Sequence, residues 1–314
     1  MKRSLKLFPL LVMIFVVVFG ASLFSQDFTT SVNIPLTTYF ARVQVNPYYQ
    51  LVNLASIDFA EKNLKGTDYE GLPVISRASV IDAGFRGADN FADVPAGAIT
   101  KAEMQHLYRY NNKISALKLN GKQIIEWLEA SAGNFFVIDP ELCEDQILVN
   151  FGFDCHHLDQ FWGITYIYDV TKSLGSRVAR AEYEGVPLSE DMEFIVVVDS
   201  YRASGGGGLP HAVPENVVIA WDVDYRTMVF EYLDSLGGIM PELVVNWSIK
   251  PVATQGRVLF KTGGEWGTPV LEYMEAAAEL GIEQVDHISY FGTDDVWGLF
   301  EIDLSRIKAP VFDE

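Results

Sequence analysis

The sequence predicts an α+β fold, a mixed β-sheet with flanking helices, and three observations carry that expectation. Apolar, β-branched runs such as residues 164–170 and 194–198 read as strands. Stretches such as residues 48–62 and 122–132 space their apolar residues by three and four, as amphipathic helices do. The two kinds of segment mix along the chain instead of alternating regularly, which argues against a doubly wound parallel sheet. Neither an internal repeat nor a low-complexity linker divides the chain. Residues 1–25 read as a leader, 26–245 as the main domain and 246–314 as a C-terminal extension packed on it.

The leader has the order of a secretory signal. Lys2, Arg3 and Lys6 precede the apolar residues 7–19, and the small residues Gly20, Ala21, Ser22 and Ser25 follow. Cleavage near Ala21 or Ser25 would release an exported, periplasmic or extracellular chain. An uncleaved anchor over residues 7–24 is the alternative, against which Pro9 and the short apolar core weigh. No second apolar stretch is long enough to span a membrane.

Composition narrows the partners. The formal net charge is −19, and losing the three leader cations takes it to −22, which excludes nucleic-acid polymers and anionic membrane surfaces. An anionic small ligand must therefore meet locally placed arginines. The two cysteines, Cys143 and Cys155, fall in one loop-like region where a disulfide and free thiols are both open readings. A zinc cluster of Cys143, Cys155, His156 and His157 is disfavoured by the adjacent histidines and the missing second C-x-x-C.

In chain order, residues 29–60 begin with a short strand region and pass into the helix at 48–62. Residues 72–81 (L-P-V-I-S-R-A-S-V-I) read as a strand, leading to a turn-rich stretch at 88–98. A short helix is expected at 102–109 and an alternating strand at 113–119, closed by a tight turn at Asn120-Gly121. The helix at 122–132 places Ile124, Ile125, Leu128 and Ala132 on one side and leaves Glu126 and Glu129 to solvent. Residues 217–236 read as helical, interrupted at 222–225.

Residues 199–210, D-S-Y-R-A-S-G-G-G-G-L-P, follow directly on the strand at 194–198. Four consecutive glycines permit positive φ angles and a close backbone approach to a flat ligand. Tyr201 offers a stacking face worth roughly 1–3 kcal/mol against a nucleobase. Arg202 suits a phosphate, a ribose or a structural carboxylate equally well. The bland reading of this stretch is a glycine turn carrying a core tyrosine. It is not a P-loop, because no Lys-Ser or Lys-Thr follows the glycines.

Several segments together resemble the C-terminal, substrate-binding domain of the 5'-nucleotidases, in the 2',3'-cyclic-nucleotide 2'-phosphodiesterase/3'-nucleotidase branch. They include G-L-P-V-I-S at 71–76, A-G-F-R-G at 83–87, D-V-P-A-G at 93–97 and L-Y-R-Y-N-N-K-I at 107–114. L-N-G-K-Q-I-I-E-W-L-E-A-S-A at 119–132, G-I-T-Y-I-Y-D-V at 163–170 and S-Y-R-A-S-G-G-G-G at 200–208 continue the likeness. N-W-S-I at 246–249 and D-L-S at 303–305 extend it over nearly all of the chain after the leader.

The resemblance implies that Tyr110 and Tyr201 clamp a base between two rings and that Asn112 reads its edge. It also implies that Arg86, Arg202 and Gly163 lie at the substrate. From the residues alone, Tyr110 is equally a core ring, Asn112 a turn residue and Arg86 half of a surface ion pair. The chain departs from the branch at Phe85 for a glycine, at Asp82 for a lysine and at Asn111-Asn112-Lys113 for P-N-T. Arg109 is the residue expected to restore the positive charge lost at Asp82.

In the resembling enzymes an N-terminal metallophosphoesterase domain holds two catalytic metals. The five histidines here, at 106, 156, 157, 211 and 287, form no G-N-H-E or G-H-x-H segment, and Asp154-Cys155-His156 matches D-x-H in isolation, as by coincidence. No cofactor or metal is therefore expected in this chain, and divalent metals only in a partner metallophosphoesterase subunit. Function reads as the nucleobase- or nucleotide-binding half of a split, exported phosphohydrolase, with that subunit separately encoded. A free-standing nucleoside-binding protein without turnover is the alternative, and an incomplete gene product a third.

Overall fold

The structure is a computed structural model that describes residues 29–312; the leader expected at residues 1–25 lies outside them. Its centre is a five-stranded sheet. In spatial order the strands are Val217–Asp224, Lys113–Asn120, Glu193–Asp199, Val74–Ser79 and Asp159–Trp162. Glu193–Asp199 runs parallel to Val74–Ser79 and every other pair is antiparallel, so the sheet is mixed and the fold α+β.

The run Phe194–Val198 is apolar at every position because both faces of its strand are covered. Phe194, Val196 and Val198 join one core, while Ile195 and Val197 join the other. Strand side chains alternate between faces, so an uninterrupted apolar run implies a strand buried on both sides. One face receives the helices Pro47–Asn63 and Tyr225–Ser235 through Tyr48, Val52, Met228 and Leu233. The other receives the helix Gly121–Ser131 through Ile124, Trp127 and Leu128. Each fully buried large apolar side chain contributes roughly 1.5–3 kcal/mol.

Helix starts follow from local chemistry. The Asn46 side chain accepts from the Tyr49 N–H at 3.1 Å, and Pro47 occupies the first turn, where its missing N–H costs nothing. Asn120 caps the next helix, with the Gln123 side chain returning a bond to the Asn120 N–H. Asn120-Gly121 is thus the strand-to-helix cap that starts the helix expected after it.

Two expectations are corrected and one open reading is decided. Residues 217–236 are half strand: Val217–Asp224 pairs along Lys113–Asn120, and only Tyr225–Ser235 is helical, capped by the Asp224 side chain on the Arg226 N–H. The V-V-I-A-W run follows its sheet neighbour, a partner invisible to local periodicity. Glu129 is not a solvated surface residue, since its carboxylate accepts from the N–H groups of Gly175 at 3.0 Å and Val178 at 2.7 Å. Cys143 and Cys155 are both free: Cys143 is exposed beside Gln255, whereas Cys155 is buried.

Residues from Asn246 onward weave into two four-stranded sheets. Trp247–Ile249 pairs parallel with Thr165–Tyr168, and Val258–Thr262 pairs parallel with Gln146–Ile147. The hairpin Ile288–Asp294 and Trp297–Ile302 completes the second of these. Buried Asn246 ties the junction by donating to the carbonyls of Phe161 at 2.7 Å and Ile164 at 3.0 Å. No helix among the described residues is long and apolar enough to cross a membrane.

Candidate functional site

Antiparallel pairing of Lys113–Asn120 with Glu193–Asp199 places Ile114 opposite Asp199. The segment entering the first strand carries Tyr110 and Asn112, and the segment leaving the second carries Tyr201. Both therefore emerge at the same end of the sheet, where the Lys113 N–H donates to the Ser200 hydroxyl at 3.0 Å. The Tyr225 N–H, at the start of its helix, donates to the Asn112 carbonyl at 2.9 Å and fixes the same corner.

A cavity of about 280 Å³ opens there, lined by Tyr110, Asn112, Tyr201 and Phe85 over a floor that includes Tyr48 and Tyr225. At the rim, Tyr110, Tyr201 and Phe85 keep 41, 47 and 47% of their surface exposed, a large apolar area unused by the fold. On the floor, ring faces remain apolar because the hydroxyls are satisfied elsewhere. Tyr48 donates to the Leu107 carbonyl at 2.8 Å, Tyr49 to the Ile81 carbonyl at 2.9 Å, and Tyr225 pairs with Ser56 at 2.9 Å. Burial pushes the Tyr225 phenol up to about 12 and holds those of Tyr48, Tyr49 and Tyr108 well above the usual phenol range, so all four stay neutral. Asn112 donates from its amide nitrogen to the Tyr108 hydroxyl at 3.0 Å, which orients the amide. Its amide oxygen has no protein partner among the described residues, which suits it to a ligand N–H.

Gly205, Gly207 and Gly208 take the positive φ expected of the run, and Gly206 and Gly207 have a further role. A side chain at Gly206 would lie 2.6 Å from the Tyr201 ring, and one at Gly207 2.1 Å from the Arg202 guanidinium. They let the loop close against its own Tyr201 and Arg202, and so set the rim ring in place.

Arg202 and Gly163 do not line the cavity. Arg202 is fully buried, and its guanidinium donates to Ser79 at 2.9 Å, the His156 carbonyl at 2.6 Å and Asp159 at 3.2 Å. Of its open readings, the structural carboxylate is the one realised. Gly163, with φ at +90°, stands at the bend between Asp159–Trp162 and Thr165–Tyr168, which belong to different sheets, and a side chain there would meet Ile75 at 3.0 Å. Arg86 is exposed on the loop that carries Phe85, and its guanidinium forms no ion pair among the described residues. Arg109 does not restore a free positive charge: it pairs with Asp82 at 2.8 Å, so the two neutralise each other.

Beneath the cavity lies a buried charge lattice. Arg77 reaches Asp199 at 2.5 Å and Asp159 at 3.4 Å, Arg202 shares Asp159, and Trp127 donates to Asp159 at 2.8 Å. Burial opposes the charge on Arg77, but Asp199 and Asp159 outweigh it and hold the guanidinium firmly protonated. Burial would likewise raise Asp199, yet Arg77 and the Arg202 N–H bring it below the usual carboxylate range. Two cations and two anions balance, which makes so polar a layer tolerable in the interior. The sequence reading missed this lattice, along with Ser79, Asp199 and the floor tyrosines. Arg77 sits inside a strand-like run, where a charged residue is the one available signal, and no such run marked Asp159.

One loop brings together groups that the sequence reading set aside. Donor atoms of Asp154, His156 and His157 all lie within 4.8 Å of one another. Cys143 takes no part in the cluster.

The mixed sheet carries an aromatic-rimmed cavity at the end of its central strands. The family model described as "5'-nucleotidase, C-terminal domain" matches residues 50–214, and the chain belongs to that family. It is 33% identical over 290 residues to the trifunctional nucleotide phosphoesterase protein YfkN of Bacillus subtilis, covering 88% of this chain and 19% of that protein. It is 28% identical over 290 residues to the 2',3'-cyclic-nucleotide 2'-phosphodiesterase/3'-nucleotidase of Haemophilus influenzae, covering 86% and 43% respectively. The chain thus spans less than half the length of these relatives.

Among solved structures, a putative 5'-nucleotidase from Staphylococcus aureus aligns with TM-score 0.56 at 20% identity, over 71% of this chain and 41% of that one. The 5'-nucleotidase precursor from Thermus thermophilus aligns with TM-score 0.53 at 20% identity, over 74% and 41%. These two likenesses show the fold.

Proposed function

We propose that this domain binds the base of a nucleoside or nucleotide between Tyr110 and Tyr201 and offers its sugar-phosphate to a metallophosphoesterase module outside these 314 residues. The observation that carries the reading is the convergence of two exposed tyrosine rings and one oriented amide on a single cavity. A base is flat, apolar on its faces and polar along its edge, and the cavity presents rings for the faces and Asn112 for the edge. Arg86, exposed beside Phe85, is the cation we assign to the sugar-phosphate. The reaction in this reading is phosphoester hydrolysis, with the module's metals activating water and this chain holding the base. Residues 1–25, basic and then apolar, support export, and cell fractionation checks it.

Calorimetry with adenosine tests the central claim. Saturable heat is expected for the wild-type chain, and the Tyr110→Ala/Tyr201→Ala double variant is expected to lose at least 2 kcal/mol of binding, at roughly 1–3 kcal/mol per stacked ring. Equal affinity in the two folded proteins would end the clamp reading. Recovery of a metallophosphoesterase with the chain favours the split enzyme over a free-standing binder.

A further inference from the structure

The turn that carries Asp154, His156 and His157 is built like a metal-ligand turn. Residues Cys155–His157 form one turn of 3-10 helix, closed by the His157 N–H on the Asp154 carbonyl at 2.8 Å. This brings the two imidazoles side by side, with ring centroids 4.3 Å apart. Donor atoms around a tetrahedral zinc-type ion, each bonded at about 2.0–2.1 Å, lie about 3.4 Å from one another. The three donors, already within 4.8 Å of one another, stand close to that spacing.

The turn is also held rigid, which limits the ordering entropy a metal must overcome. Arg202 donates to the His156 carbonyl at 2.6 Å, and Ser131 donates to the His157 carbonyl at 3.2 Å. Cys155, between the ligands, is buried and anchors the turn in the core. Phe85 packs edge-on to His156 at 5.2 Å and Phe153 to His157 at 5.6 Å, which restrains both rings. Burial, then the neighbouring histidine, lowers the His156 pKa; burial, then Arg202, lowers that of His157. A neutral imidazole is the form that has a lone pair to give.

Donor chemistry chooses the ion. Two imidazoles and one carboxylate suit zinc, cobalt or nickel, whereas magnesium and calcium prefer oxygen ligands throughout. We infer that Asp154, His156 and His157 form a binding site for one divalent transition-metal ion of the zinc class, with a fourth position left to water. Since His156 also lines the base cavity, the site borders that cavity without sharing its clamp. It is separate from the metals assigned above to a partner module, and it stands whether or not the cavity takes a base.

Titration of the purified chain, free of any polyhistidine tag, with cobalt(II) tests the site. One equivalent is expected to give the visible absorption of four-coordinate cobalt, displaced by one equivalent of zinc and unaffected by excess magnesium. The five histidines supply an internal control. On adding zinc, the imidazole nitrogen resonances of His156 and His157 should move, while those of His106, His211 and His287 stay. His156→Asn and His157→Asn should each weaken zinc at least tenfold with an unchanged circular dichroism spectrum. Absence of saturable binding, shifts confined to the other three histidines, or full affinity in both folded variants would overturn the site. Should a variant fail to fold, the wild-type resonances decide the question alone.

Discussion

Tyr201 and Arg202 are neighbours in one helical turn, Ser200–Ala203, and they sit in opposite worlds. Tyr201 is 47% exposed at a cavity rim, whereas Arg202 is wholly buried in the lattice beneath it. Rim rings contribute little to the fold and are free to meet a ligand. Lattice charges contribute nothing to a ligand directly, yet each leaves an unpaired buried charge if its partner goes. Adjacent positions in a motif can thus carry separate functions, and exposure together with hydrogen-bond partners tells them apart.

The largest effect expected on this contrast comes from Arg202→Ala. It strips one cation from Asp159 and bares the His156 carbonyl, and should cost about 3–5 kcal/mol in urea unfolding. A loss below about 1 kcal/mol would mean that Arg202 is not structural.

Next comes Glu283, a buried carboxylate with no cation, to set beside Asp199, which has two. Gln44 and Tyr273 hydrogen-bond it, but burial dominates and pushes Glu283 up to about 7. The unfolded chain releases this proton near pH 4.3, while the folded chain keeps it until about pH 7. Stability should therefore fall by about 3 kcal/mol as pH rises across that window, and level off above it. Asp199, with its pKa depressed, acts in the opposite sense and only at lower pH. Glu283→Gln should flatten the slope between pH 5 and 7 in denaturation curves; an unchanged slope would assign it to other groups.

The smallest effect sharpens the rim side. In Gly206→Ala, the added methyl starts 2.6 Å from the Tyr201 ring and must displace it. Adenosine affinity should drop about tenfold, within the roughly 1–3 kcal/mol of one stacking ring. Tyr201→Ala should change unfolding free energy by no more than about 0.5 kcal/mol, as exposed positions do. Unchanged affinity in Gly206→Ala would mean that the ring needs no backing from the loop.

Much of the architecture was legible. Residues 194–198 read as a strand because they are apolar without a break, and the helix at 48–62 read from its spacing of three and four. Residues 217–224 misled, because edge pairing to Lys113–Asn120 decided their conformation. At the site, Tyr110, Asn112 and Tyr201 stood out by residue type and by family likeness, and the structure places all three on one cavity. Phe85 was visible as a departure, without any sign that it lines the same cavity. Arg202 was ambiguous because an arginine near glycines looks alike whether it meets phosphate or Asp159.

What the sequence determined by itself is local: which segments are strands and helices, and which loop carries aromatic, arginine and glycine together. These follow from side-chain periodicity and from backbone freedom over a few residues. The tertiary structure alone decided that Arg202 meets Asp159 across 43 positions and Ser79 across 123. It alone brought Asp154, His156 and His157 to a common point beside Phe85. Such meetings depend on strand order and loop packing, and no spacing along the chain encodes them.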